Sequence, residues 1–549
     1  MMYIIFSTIF LLPVLAGIGK ISERFAGEIL GGISSLIIIG TVAVAAVWAV
    51  LSFFLPLNLY METATLVIGL SSFFYFRLYL NFYDFFLNNS KIFFSSMLAI
   101  VVAGSFYPFI LDHFGYYVPT IKWLSEAGLV KGIANLDILL GQMSLWHILQ
   151  AGFSNFSDPF LRLNTIFLII YLIYICEKKS WLHLLFVPFL FLFSQSPSPD
   201  LPVIMFSVIV LDEVLSKNQN ISALFLVSAF VFAIKPTMMW LPLLVVLYGF
   251  FVMKSRVKFL FSGSLMLLLF VFKNLWCFGF PVFPMQFADV GIPWKPNPEL
   301  MKISAKVSIE KTYDMKFHYE EIRNFTTWEY ISNWLFLKGI KSKIHWLFVL
   351  SLAGFSVFTF IKKNRLITFI FISILIKSII VLAFSAQYRF FIDVFFVVVF
   401  VMLYQKISLK TAFSGFAVLS VFFIGFLSFP NLVRKTVPSF KLGQFMLGFQ
   451  KSQWLEPAYF KLNLFETYQV GNLKFNVVKD YPFSFDTPIP AITPEFLKED
   501  LEAGVFPQQN SDNPKDGFYW RAITEKEKQQ LSAIIIKTEE DFKNRKPSK

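Results

Sequence analysis

The sequence predicts an all-α polytopic membrane protein of about fourteen transmembrane helices, eleven at the least, with a small polar segment at its C-terminal end. Three observations predict it. Of the 549 residues 56% are hydrophobic and 15% charged, whereas about a quarter of a soluble domain is charged. Phenylalanine supplies 71 residues, a bulky apolar filler that suits lipid-facing and inter-helical surfaces. The basic residues, which set a formal charge of +13, fall in short clusters between apolar runs. That pattern marks membrane topology and argues against a nucleic-acid partner.

A bilayer core of about 30 Å needs about 20 apolar residues per helix, fewer where neighbours help. Runs near 1–19, 29–57, 63–80, 92–111, 163–176, 181–193, 201–215, 221–234, 236–253, 257–273, 345–361, 366–384, 389–404 and 411–429 approach that measure. The first run has no basic residues ahead of it and is followed by Lys20, so it reads as a retained span rather than a cleaved signal. The clusters at 178–179, 254–258, 362–365 and 406–410 all follow the same parity of span. Lys and Arg concentrate on the cytoplasmic side, which places loops 112–162 and 274–344, and the segment 430–549, outside. The transmembrane domain is then 1–429. Cys176 and Cys277 fall near opposite faces and cannot pair, and there is no CxxC spacing for zinc. From Pro430 the chain turns polar, proline-rich and mixed in charge, as expected of a small domain or ordered cap. Its stretch 481–490 suits irregular or short-strand structure, and its last 25 or so residues suit a solvated helix or frayed tail.

Five charges stand at the outer ends of the apolar runs: Asp112, Asp200, Lys235, Lys273 and Arg389. Charge beside hydrocarbon costs free energy, and function often explains its presence. Fixed cations can hold an anionic phosphate and its developing charge, while a carboxylate takes the proton of an acceptor hydroxyl. Transfer from a lipid-linked phosphosugar needs that set. Each residue alone has a commoner structural explanation, as a helix-end acid or a snorkelling cation. After Asp112, the apolar Ile121, Trp123 and Leu124 predict a short amphipathic helix that Gly128 ends and Gly132 loosens. It either covers the mouth of a cavity or packs as a plain surface helix. Asp137 and Asp158, later in that loop, read as solvated.

In loop 274–344, the rings of Trp294, Trp328 and Trp334, beside polar groups such as Asp289, could stack on sugar faces, although interfacial anchoring by Trp is the commoner role. His318 and His345 have no metal-ligand spacing, and no Walker or dinucleotide motif supports use of ATP or a nucleotide sugar. A transporter or flippase would want charges at mid-membrane depth and often shows repeats; here the charges cluster at helix ends and no repeat is visible. A lipid-linked donor calls for an apolar cavity between the bundle and the first outer loop, open laterally to lipid, with Lys273 or Arg389 at its head. An assembly protein whose C-terminal cap binds a partner is a further class.

The residues Asp112, Tyr116, Lys122-Trp123 to Asn135-Leu136, Ser198-Pro199-Asp200-Leu201, Lys273-Asn274, 279–284 and Tyr388-Arg389-Phe390 resemble an uncharacterised family of bacterial polytopic membrane proteins. The resemblance extends over nearly the whole chain, including 486–490. That family is similar in layout to the C-type glycosyltransferases, which use polyprenyl-phosphate-linked sugars, through the acid of the first outer loop and the many-span plan. The resemblance implies Asp112 as catalytic acid or base; the substrate site expected beside it draws on the helix-end charges Asp200, Lys235, Lys273 and Arg389 and on His113, Tyr116 and Trp123 of the first outer loop. It implies a bacterial inner (plasma) membrane location with an extracytoplasmic active face, in contact with membrane lipid. The acceptor is a saccharide, a lipid or a protein, and a saccharide polymerase or ligase shares the chemistry. Some transferases of this class hold a divalent ion on outer-loop acids, which makes Asp112 and Asp200 the candidates for one. Where an aromatic-His pair is expected the chain has Tyr116-Tyr117, leaving His113 as the substitute.

Overall fold

The computed structural model describes residues 1–29, 31–437, 446–462 and 464–544. Among them, seven helices are long and apolar enough to cross a membrane: Met2–Ala26, Ile33–Leu51, Tyr79–Gly104, Val257–Phe278, Ile340–Lys362, Arg365–Phe384 and Leu409–Ser428. The protein is therefore a helical membrane protein. The other apolar runs also fold as helix, but shorter: Leu59–Tyr75, Leu163–Lys178, Asp200–Leu215, Ile221–Ile234, Pro236–Phe251 and Ile392–Leu403. The run 181–193 breaks into Trp181–Leu185, Val187–Leu190 and Phe191–Phe193, with Pro188 in its middle piece.

Burial accounts for the short ones. Every residue from Leu163 to Cys176 is buried, and so is every residue from Asp200 to Val214. A helix walled by protein need not match the bilayer thickness, because its neighbours satisfy and shield it. Five of the seven long helices sit at the periphery, where only 22% of the apolar window of Ile340–Lys362 is buried, whereas Met2–Ala26 and Ile33–Leu51 are 56% and 78% buried. The first three helices approach closely through small residues: a Cβ on Gly17 would meet the Gly69 carbonyl, and one on Gly40 the Leu15 carbonyl.

The connections sort onto two ends. At one, Glu177 accepts from the backbone N–H groups of Ile33 (2.7 Å) and Ser34 (3.1 Å), Asn220 donates to the Glu28 carbonyl and Tyr248 to the Asn218 carbonyl. Ser216 meets Tyr404 there, and Arg365 lies over Phe251. This basic end carries the clusters at 178–179, 254–258, 362–365 and 406–410, so the shared parity read from the sequence is a real grouping in space. The opposite, loop end carries 105–162, 279–339 and the C-terminal segment. There Leu129 donates to the Ser52 carbonyl, and the buried Glu62 carboxylate receives the N–H groups of Asn155, Phe156 and Ser157.

The C-terminal segment is an α/β unit rather than helix alone. Phe465–Val470 pairs antiparallel with Leu473–Val478, and Val505–Gln509 with Phe518–Ala522, beside the helices Pro494–Ala503 and Glu525–Asn544. The stretch 481–490 is irregular, as its prolines require. The final helix buries Leu531, Ile534 and Ile535 against the unit, so it is more than a solvated tail; residues 545–549 lie outside the described residues.

Helix Pro494–Ala503 packs on Pro298–Glu310, which also touches Ile138–Gly141. Acids crowd this junction. Burial, with Glu499 and Asp137 nearby, raises the Asp500 carboxyl well above the carboxylate range, and burial with Glu495 raises Glu499 to about 7. Lys311 is the cation that acts on Glu499 there. A carboxyl whose pKa rises on docking favours the docked state at low pH, and that contribution is lost as pH climbs past its undocked value through its docked one. Helix Pro494–Ala503 in the intact protein should accordingly show stronger hydrogen-exchange protection at pH 5 than at pH 8, after correction for intrinsic rates. Asp500→Asn should flatten the difference, whereas equal protection of the unaltered protein at both pH values refutes the assignment.

Candidate functional site

Asp112 is placed by a wide turn. After Tyr79–Gly104 the chain passes Pro108 and winds His113–Tyr117 as a π-helical turn that runs into Val118–Glu126, with Pro119 in the first turn. Such turns insert a residue into a helix and swing the neighbouring side chains out of register. The C-terminal unit braces this one: Phe485 donates its N–H to the Phe114 carbonyl (3.0 Å) and stacks on the Phe114 ring at 5.0 Å.

Arg389, in the Tyr388–Phe390 turn between Arg365–Phe384 and Ile392–Leu403, donates from Nη1 to Asp112 Oδ2 at 2.6 Å. Lys235 follows the last residue of Ile221–Ile234; its Nζ reaches the Arg389 carbonyl at 3.0 Å and pairs with Asp200 Oδ1. Asp200 opens its own helix and also accepts from Ser198 Oγ at 3.2 Å. Four of the five charges read from the sequence thus converge, from segments separated by 35 to 277 positions. The Asp112–Arg389 pair is partly exposed, at 33% and 40%, while Asp200 and Lys235 are more enclosed, at 12% and 15%. Arg389 Nε and Thr237 Oγ1 are buried with no hydrogen-bond partner among the described residues, so the group holds unused donors. Burial and the Asp112 charge push the Tyr116 hydroxyl well above its usual range, leaving it a donor at physiological pH.

The other expected site residues fall elsewhere. Lys273 is buried and donates to the Met143 carbonyl at 2.9 Å, outside the charged group. Burial, with the Lys273 charge second, pushes His147 down to about 3, and that neutral ring lies 4.9 Å from Tyr117. Lys273 thus borders the group through His147 and Tyr117. His113 turns inward to Ser196 Oγ (3.1 Å), and burial with the Arg162 charge holds its ring neutral, which removes it as an exposed proton carrier. Trp123 is 1% exposed and packs on Phe518 of the C-terminal unit at 5.7 Å, a structural contact rather than a substrate platform. The helix that carries it forms as expected, and Gly128 and Gly132 both adopt positive φ, but it packs inward rather than floating over a cavity mouth.

Asp137 and Asp158 are not solvated. Asp158 accepts from Gln150 Nε2 at 3.0 Å and is pushed up to about 7 by burial; Asp137 caps Ile138–Gly141 from a buried position. Trp334 is buried, stacked on His345 at 4.2 Å, and Trp294 packs on Trp276, whereas Trp328 is exposed. Asp112 and Asp200 are each paired with a cation, and among the described residues no group of three or more His, Cys, Asp or Glu could hold a metal.

The expectation that charges keep to helix ends is corrected by Lys377, whose partner Asp393 does stand in the first turn of Ile392–Leu403. Lys377 is fully buried within Arg365–Phe384 and ion-paired to Asp393, whose other oxygen accepts from Trp240 Nε1 at 2.9 Å. The Lys235–Asp200 pair lies near enough for its charges to act on Lys377. A single Lys inside an apolar run was the available signal, and attention to run ends passes over it. The apolar cavity also differs from expectation. A groove of about 550 Å³ runs between helices, lined by Phe25, Val42, Val47, Val50, Leu265 and Leu269 among others. Neither the first outer loop nor a charged residue lines it; Lys273 stands one turn beyond Leu269 on the same helix.

A family model described as a domain of unknown function, DUF8201, matches residues 1–396, a span that includes all of these charges and stops before the C-terminal unit. No curated protein and no solved structure matches the chain.

Proposed function

We propose that this chain, which belongs to the DUF8201 family, is a membrane glycosyltransferase that moves a sugar from a polyprenyl-phosphate-linked donor to an extracytoplasmic saccharide, lipid or protein acceptor. The observation that carries the reading is the convergence of Asp112, Arg389, Lys235 and Asp200 at the loop end. With the basic end in the cytoplasm, by the positive-inside rule, the group faces outward from the bacterial inner membrane. The donor phosphate draws Arg389 away from Asp112, since a guanidinium grips phosphate with two parallel hydrogen bonds and Nε is already free to donate. Asp112, released, takes the proton of the acceptor hydroxyl as its oxygen attacks the anomeric carbon. The bond from that carbon to the phosphate oxygen breaks, and Arg389 and Lys235 hold the negative charge of the departing polyprenyl phosphate.

A second reading, a transporter or flippase of lipid-linked saccharide, draws on Lys377, a buried charge inside a long apolar helix that pairs with Asp393. One experiment separates the two. The purified chain is reconstituted in vesicles containing a radiolabelled polyprenyl-phosphate sugar and supplied with a membrane extract as acceptor. Transfer predicts polyprenyl phosphate accumulating with label in a new product. Label that crosses the bilayer still joined to its lipid favours transport and defeats the transferase reading.

A further inference from the structure

We infer that the helix Thr327–Leu335 is an in-plane membrane anchor, seated in the headgroup region of the leaflet at the loop end, and that lipid thereby steadies the turn carrying Arg389. The inference rests on the chain spanning a bilayer but not on the transfer chemistry.

The helix has two apolar sides. It starts at a capping box, in which Thr326 and Glu329 bond reciprocally, so its register is fixed. One side faces protein: Tyr313 donates to the Tyr330 carbonyl (3.1 Å), and Trp334 stacks on His345. The other side presents Trp328 at 69% and Ile331 at 44% exposure, with Phe336 at 63% just beyond. A nine-residue helix is marginal in water by itself, and an apolar stripe facing water would weaken it further.

Continuity identifies the occupant. The Phe336 ring meets Trp346 at 5.8 Å, and Trp346 belongs to the peripheral helix Ile340–Lys362, where Leu347 and Leu350 are also exposed. The exposed stripe therefore runs into a surface that lipid covers. Between 336 and 344 there are three lysines and no acid; Lys341 pairs with Asp314 at 2.5 Å, which leaves Lys338 and Lys343 to meet phosphate headgroups. Trp at the boundary and Lys beside it are the composition of an interfacial segment.

The anchored segment grips the strand of chain before Arg389. Trp334 Nε1 donates to the Ala386 carbonyl at 2.8 Å, Ala386 N–H to Thr312 Oγ1 at 3.2 Å, and Ser385 Oγ to the Ser308 carbonyl at 2.7 Å. One bond from the anchored helix and two from Ser308 and Thr312 ahead of it thus hold the backbone three residues before the guanidinium.

The test uses the full chain in nanodiscs of phosphatidylcholine and phosphatidylglycerol, with I331C carrying an environment-sensitive fluorophore; the native Cys176 and Cys277 are buried. Doxyl groups near the headgroup should quench the probe, and aqueous iodide should quench it several-fold less than the same probe at Lys302, an exposed position on Pro298–Glu310. Equal iodide quenching at both positions overturns the anchor. Trp328→Glu combined with Ile331→Glu should then speed hydrogen exchange over 385–391; unchanged exchange there overturns the link to Arg389. Neither readout requires transfer, so failure here and failure of the transferase reading are distinguishable.

Discussion

Asp112→Asn should insert and fold as the unaltered chain does while transfer falls by a factor on the order of 10² or more. Asparagine keeps the size and one acceptor oxygen but cannot take a proton from an acceptor hydroxyl. The pair it forms with Arg389 is partly exposed, and such pairs contribute about 1 kcal/mol at most, so loss of activity would not be loss of fold. Arg389→Lys should also impair transfer, because the ammonium keeps the charge but loses the planar fork. The control has to be an exposed acid such as Asp289, since Asp137 and Asp158 are buried and their substitution disturbs packing. The assay uses intact membranes with a lipid-linked sugar pool. Full activity of Asp112→Asn would defeat the catalytic assignment even with Arg389 essential.

Lys377→Met should be the most destabilising single change at the floor of the site, by about 3 kcal/mol or more, because it strands the Asp393 carboxylate among apolar helices. Trp240 Nε1 would remain its hydrogen-bond donor, which cannot replace the lost charge. Removing both charges, as Lys377→Met with Asp393→Leu, should recover much of the loss, since a buried pair replaced whole by apolar groups of similar volume often costs little. Thermal unfolding of the detergent-solubilised protein reads both. If the single variant melts with the unaltered chain, the pair is not a structural clamp. If the double variant folds yet fails only in moving lipid-linked sugar across vesicles, the transport reading gains.

Residue chemistry and periodicity made the helical membrane fold legible, because apolar runs and basic clusters record the solvent each segment meets. The same logic found Asp112, Asp200, Lys235 and Arg389, which the fold draws together, and it also picked Lys273, which it does not. A helix-end charge shows that it has a reason to be there, not which partner it meets. Lys273 is turned aside by carbonyls of 141 and 143, groups that no side-chain pattern announces. Trp123 reads as a substrate contact and Asp137 as solvated because what buries them is remote in sequence: Phe518 covers Trp123, and Pro494–Ala503 lies near Asp137. The number of spans was the least legible feature, since an apolar run buried by protein looks the same as one facing lipid.

The bracing of Phe114 by Phe485, together with the Arg162 guanidinium's bond to the Ala458 carbonyl, gives the site a temporal order. A ribosome makes residue 112 long before 458 and 485, and most of the hydrophobic helices enter the bilayer in between. During that interval the turn bearing Asp112 lacks its brace. The turn gains it only when the last-made part of the chain folds back onto the loop end, so one of the first loops to be synthesised is among the last to be steadied.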